Sequence, residues 1–185
     1  MYRKLLLYLS LLSLTQCSKC KEELFPKKPP TPAVLPPETQ IGARACGCRV
    51  NGTTFATLNT IKCNGDWQGL NTLAISGTLN RTSSYDDDVF GFNILLNGPL
   101  RSGQSFALSP FNQPINPAAS QFAATAIANG YQCSYRGNYV KSGRVELTKF
   151  DGVQRIAAGR FAFTIYEVGG CDTLRVTDGR FDVNF

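Results

Sequence analysis

The sequence predicts an antiparallel all-β domain, a sandwich or partly closed barrel of roughly eight to ten strands. Two observations predict it. From residue 41 onward apolar side chains recur with period two, and turn residues interrupt them at short, regular spacing. The aromatic content of the whole chain, 12 Phe and 7 Tyr, favours strands over helices.

The elements follow in order. Leu73, Ile75, Gly77 and Leu79 share one face, and so do Phe90, Phe92, Ile94 and Leu96. Val145 and Leu147 alternate with Arg144, Glu146 and Thr148, and Phe161, Phe163 and Ile165 alternate with Arg160, Ala162 and Thr164. Each run is a strand with one buried face. Asn51-Gly52 between Val50 and Thr53 is a strong hairpin signal. Asn97-Gly98-Pro99, Ser102-Gly103, Asn129-Gly130, Asp151-Gly152 and Gly169-Gly170 mark further turns. Residues 118–128 come nearest to a helix by their Ala content, but Gly130 stops the run and no amphipathic helix is expected.

The last strand changes parity. Leu174 and Val176 are even and apolar, whereas Phe181, Val183 and Phe185 are odd and apolar. A one-residue slip would turn side chains to the wrong face, so a bulge or kink is expected at Gly179, with Phe185 ending the chain inside the fold.

Upstream of the domain the chain divides twice. Residues 1–16 carry Arg3 and Lys4, then an apolar run from Leu5 to Leu14. Ten helical residues span about 15 Å, well short of a bilayer core of about 30 Å, so a cleaved leader is expected rather than a membrane span. Leu14-Thr15-Gln16-Cys17 resembles a bacterial lipobox, which implies that Cys17 takes a diacylglycerol and becomes the new N-terminus. Gln16 departs from the Gly, Ala or Ser that usually precedes that Cys. Residues 17–40 hold six of the ten prolines, which deny the segment helix and central strand, and a solvated polyproline-like tether is expected. The domain is then expected over residues 41–185.

Charge and cysteine content narrow the function classes. From Ile41 onward there are thirteen basic and ten acidic residues, a balance of +3, too sparse for a nucleic-acid patch. Histidine is absent, which removes the commonest general base and metal ligand. No catalytic residue, cofactor or metal is expected. Seven cysteines in an exported chain point to disulfides. With Cys17 acylated and Cys20 in the tether, Cys46, Cys48, Cys63, Cys133 and Cys171 are the candidates. Cys46 and Cys48 lie side by side on one strand face and should not pair with each other, and a bridge from Cys48 to Cys63, Cys133 or Cys171 is expected.

Candidate sites are few. Trp67 is expected in a Gly-rich loop and, with Tyr131 and Tyr135, forms a candidate ligand rim for a glycan, against the plainer reading of an aromatic capping a core. Asp86-Asp87-Asp88 reads as a solvated loop before it reads as a calcium site. Arg160, Arg180 and Asp182 lie outward in the closing strands and read as a cross-strand charge ladder before a binding surface.

Gly47-Cys48-Arg49-Val50-Asn51-Gly52, Gly159-Arg160-Phe161-Ala162-Phe163 and Thr177-Asp178-Gly179-Arg180-Phe181-Asp182 together resemble a Bacteroidota lipoprotein family of unknown function, over about residues 42–185. The resemblance implies a lipid-anchored, all-β protein of the outer membrane, facing the periplasm or the surface, and no catalytic residues. The expected function is therefore a non-catalytic binding or structural domain, anchored to a membrane and facing a glycan or an envelope protein. The alternatives are a lipocalin-like carrier of a small apolar ligand and a glycan-binding or hydrolytic envelope protein.

Overall fold

Period-two burial runs through the strands of the computed structural model, which describes residues 29–58, 63–69, 71–83, 88–110, 120–128, 131–135, 140–166 and 171–185, with backbone alone at 109–110, 121–128, 131–132, 134 and 140. One compact unit spans Thr31–Phe185. The described residues form eleven strands and no helix. They are β1 (Ala45–Val50), β2 (Thr53–Ala56), β3 (Cys63–Gly69), β4 (Thr72–Asn80), β5 (Val89–Asn97), β6 (Ser105–Pro110), β7 (Ser120–Ala128), β8 (Tyr131–Tyr135), β9 (Val140–Asp151), β10 (Ile156–Ile165) and β11 (Leu174–Asn184). The count is one above the expected range. The Ala-rich stretch is β7, paired with both β5 and β8: neighbouring strands, not helix propensity, decide its conformation.

The strands form one sheet in the order β2-β1-β11-β10-β9-β6-β7-β5-β4-β3, with β8 beside β7. Pairing is antiparallel except between β6 and β7, which run parallel over three residue pairs. The sheet curls into a half-barrel, and β2 meets β4 through Ala56 and Asn80. Asn51 and Gly52 turn the chain from β1 to β2 with φ of 48° and 86°, the two positive values that a two-residue type I′ hairpin requires.

The parity change in β11 is a bulge. Gly179 pairs with Phe161 and Val176 with Phe163, so three steps on β11 match two on β10. The same extra residue appears against β1, where Arg180 pairs with Gly47 and Thr177 with Arg49. The positive φ falls on Asp178, at 52°, one residue before the expected Gly179. Gly179 is required for another reason: a Cβ there would strike the carbonyl oxygen and ring of Phe161.

Inward faces meet in a filled core. Phe92 and Phe161 touch across it with ring centroids 4.9 Å apart, and Phe161 also meets Phe163 and Phe181. Phe55 and Phe90 extend the cluster. One end is covered by Trp67, Phe150 and Phe185, with centroids 5.4–5.8 Å apart. Phe185 is half-buried there, so the C-terminus packs on the core rather than within it.

Two disulfides tie elements that do not pair as neighbours. Cys46 of β1 joins Cys63 of β3, and Cys133 of β8 joins Cys171 ahead of β11. Cys48, expected to be bridged, is instead a buried free thiol. Cys46 takes the bond because the curl of the sheet brings its Cα within 5.9 Å of that of Cys63. Cys48 lies nearer the β1–β2 turn, opposite Phe55, and burial pushes its thiol pKa up.

The filled core gives a prediction. Phe161→Ala should lower the unfolding free energy by about 3–5 kcal/mol in a urea titration, because its ring has three aromatic neighbours that cannot all collapse into the void.

Candidate functional site: the outer face of the closing strands

The proline-rich segment is not a free tether throughout. From Thr31 to Gly42 it lies on the domain as a strap. Pro32 bridges Thr82, the Ala33 amide donates to the Arg81 carbonyl at 2.8 Å, and the Ser83 amide donates to the Thr31 carbonyl at 3.0 Å. The compact unit therefore begins at Thr31 rather than at Ile41. Prolines allow this because the amides that hold the strap belong to Thr31, Ala33, Ile41 and Gly42, at its two ends and outside the prolines. Gly47 makes room for it on β1, where a Cβ would collide with the Pro36 ring.

Asp182 holds the root of the strap. The β11 bulge turns it to the outer face, yet it is only 2% exposed because residues 39–42 cover it. Its carboxylate accepts from the Thr39 hydroxyl at 2.6 Å, the Ile41 amide at 3.1 Å and the Gly42 amide at 2.8 Å. Three donors satisfy a buried anion that would otherwise be costly. Lys149 reaches the Gln40 carbonyl at 3.2 Å from β9.

Glu38 holds the middle of the strap. Arg160 donates to it through Nε at 3.0 Å and through a terminal nitrogen at 2.6 Å. The Arg180 guanidinium stands 3.9 Å from the second carboxylate oxygen and also donates to the Pro36 carbonyl at 3.0 Å. The hydrogen bond from Arg160 holds the Glu38 carboxyl below its ordinary 4.5, with partial burial opposing and the charges of Arg160 and Arg180 assisting. The same contact raises the Arg160 pKa.

Beside the strap the outer face of β9, β10 and β11 is a shallow groove. One stretch of about 460 Å³ is lined by Glu38, Arg144, Glu146, Arg160, Asp178 and Arg180. A second of about 440 Å³ continues it past Ala162 to Thr164, Arg175 and Thr177. Arg49 pairs with Asp178 at 3.5 Å, and Arg144 donates to the Ser105 hydroxyl at 2.9 Å.

The expected ladder residues are thus divided. Arg160 faces Glu146 on β9 and Arg180 on β11, while Asp182 is buried under the strap. Glu38, Arg144 and Arg175 were not singled out by the sequence; the one carboxylate directly after Pro36-Pro37 was the signal for Glu38. The candidate rim is placed differently. Trp67 lies in β3 rather than in a loop, half-exposed and stacked on Phe150 and Phe185. Tyr135 is buried, with its hydroxyl donating to the Asp172 carbonyl at 2.8 Å. The Tyr131 side chain, Asp86, Asp87 and Cys17 lie outside what the structure describes, and Asp88 pairs with Arg81 at 3.5 Å. Among the described residues no three His, Cys, Asp or Glu side chains are grouped to hold a metal ion. No family model, curated protein or solved structure matches the chain.

Two predictions follow from the strap's holds. Asp182→Asn should cost about 2 kcal/mol in urea unfolding and should speed amide exchange at Ile41 and Gly42, because an amide cannot accept from all three donors. Glu38→Gln should speed exchange across residues 31–42 at neutral pH, by a small factor because the pair is exposed. A depressed carboxyl stabilises fully above its unfolded value and loses that effect as pH falls through its folded one. The difference between wild type and Glu38→Gln should therefore persist at pH 5 and vanish in strong acid.

Proposed function

We propose that the chain is a lipoprotein of the outer membrane, held through acylated Cys17, whose β-domain acts by binding at its outer surface. The packed interior carries the second half of this reading. A lipocalin-like carrier needs an open, dry cavity. Here Phe92 and Phe161 meet at 4.9 Å where such a ligand would lie. That leaves the outer groove along β9–β11, rich in guanidinium groups, as the face on which a partner would act. The two disulfides support an oxidising compartment and hence export. The leader and the Leu14-Thr15-Gln16-Cys17 segment support the lipid anchor.

Cys17→Ala should abolish incorporation of labelled palmitate and shift the protein from the membrane to the soluble fraction. Unchanged processing and membrane association would overturn the anchor. Stoichiometric uptake of a fluorescent fatty acid by the wild-type chain would overturn surface binding in favour of a carrier.

A further inference from the structure

The chain's own strap borders one end of the groove, where Glu38 enters it, and the manner of its capture says what else fits. The two guanidinium groups read two features of an extended segment: the Glu38 carboxylate, and the carbonyl of Pro36 two residues earlier. A guanidinium presents its donors in a planar fork, which suits carboxylates. The strap crosses the strands rather than joining them, touching Gly47 on β1, Arg180 on β11, Arg160 on β10 and Lys149 on β9.

The Glu38 hold differs from the Asp182 hold. Asp182 is buried and triply bonded, whereas the side chains of Glu38 and Arg160 are 42% and 56% exposed. An exposed ion pair exchanges easily with solvent and with other anions. Glu38 can therefore leave while residues 39–42 stay pinned.

What it uncovers is a cationic groove. With Glu38 withdrawn, Arg144, Arg160, Arg175 and Arg180 line the groove with Glu146 and Asp178 as its carboxylates, Asp178 is paired with Arg49, and Asp182 stays buried under residues 39–42. Arg144 and Arg175 have no carboxylate partner among the described residues. Ala162 gives the groove a low floor between them. Arg160 and Thr164 are four residues apart on β10, and Arg175 pairs beside Thr164, so the two ends of the site are separated by about 13 Å. An extended peptide spans that distance in about four residues.

We propose that this groove is a docking site for an extended acidic polypeptide segment of a partner protein, with its Arg160–Arg180 end occupied by the chain's own Glu38. The partner's first carboxylate replaces Glu38 on Arg160 and Arg180, and later ones reach Arg144 and Arg175. The proposal rests on the surface-binding reading above and names its partner class.

The test is fluorescence anisotropy with the full chain in detergent micelles and a labelled peptide of alternating Glu and Pro. The competing pair is exposed and weak, so Glu38→Gln should tighten binding by a factor of about two to six. Arg160→Ala with Arg180→Ala should abolish binding in the Glu38→Gln background. Arg144→Ala with Arg175→Ala should weaken it severalfold. A Lys-Pro peptide of the same length should not bind. The substituted side chains are on the surface, and a thermal melt confirms that each variant is folded. Equal affinity in wild type and Glu38→Gln would overturn the occlusion by Glu38. Binding that survives loss of Arg160 and Arg180 would overturn the site. Tighter binding of heparin than of the peptide, lost with the same two arginines, would replace the polypeptide by an anionic polysaccharide. A chain that keeps its palmitate label and excludes fatty acid, yet binds no acidic peptide in any variant, would overturn this inference alone and leave the surface-binding reading standing.

Discussion

Asp178 takes a left-handed conformation between two strands that both lose register against it. Before it, Leu174 and Val176 fill the core; after it, Phe181 and Val183 do. The insertion of one residue reconciles two apolar runs of opposite parity with a single inward face. It also decides the outer face. Because Phe181 and Val183 point in, Arg180 and Asp182 point out, and these two hold the strap at Pro36, Glu38 and residues 39–42. A β11 without the bulge would send a carboxylate and a guanidinium into a core of phenylalanines, and the strap would lose both holds. The covering of the outer face thus depends on one backbone irregularity some 140 residues away in sequence from the segment it captures.

The strap shows how a segment unable to form a helix or central strand can still be ordered. Proline restricts the unfolded chain, so less entropy is lost on docking than for a flexible segment. What remains is to satisfy a few polar groups. The Ala33 amide finds the Arg81 carbonyl, the Pro36 carbonyl finds Arg180, and the Gln40 carbonyl finds Lys149. Buried charge at Asp182 anchors one end, and the bridge at Pro32 and Thr82 anchors the other.

Local features of the fold could be read from the chain, and distant ones could not. The Asn51-Gly52 hairpin depends on two φ values, and the bulge follows from apolar parity within one strand. Both are properties of adjacent residues. The pairing of Cys46 with Cys63 depends on how far the sheet curls, which no local pattern encodes, and Cys48 was equally eligible by spacing. The docking of residues 31–42 is hidden for the same reason, since composition alone makes a proline-rich stretch look solvated. At the candidate site, Arg160 and Arg180 stood out because they alternate with core phenylalanines. Glu38 did not, because its partners lie on strands more than a hundred residues away.

Arg160 and Arg180 are direct cross-strand partners. Like charges in that position repel, and a sheet that places them there needs a counter-charge nearby. Glu146 on the neighbouring strand lies opposite Arg160 but leaves Arg180 without a carboxylate of its own on the sheet at that level. Glu38 supplies what is missing, touching both guanidinium groups from above. The strap and the charge pair therefore explain each other: the arginines give an extended segment its hold, and the segment brings the carboxylate that lets two arginines stand side by side. A surface arranged in this way keeps its demand for an anion whether or not Glu38 is the one that meets it.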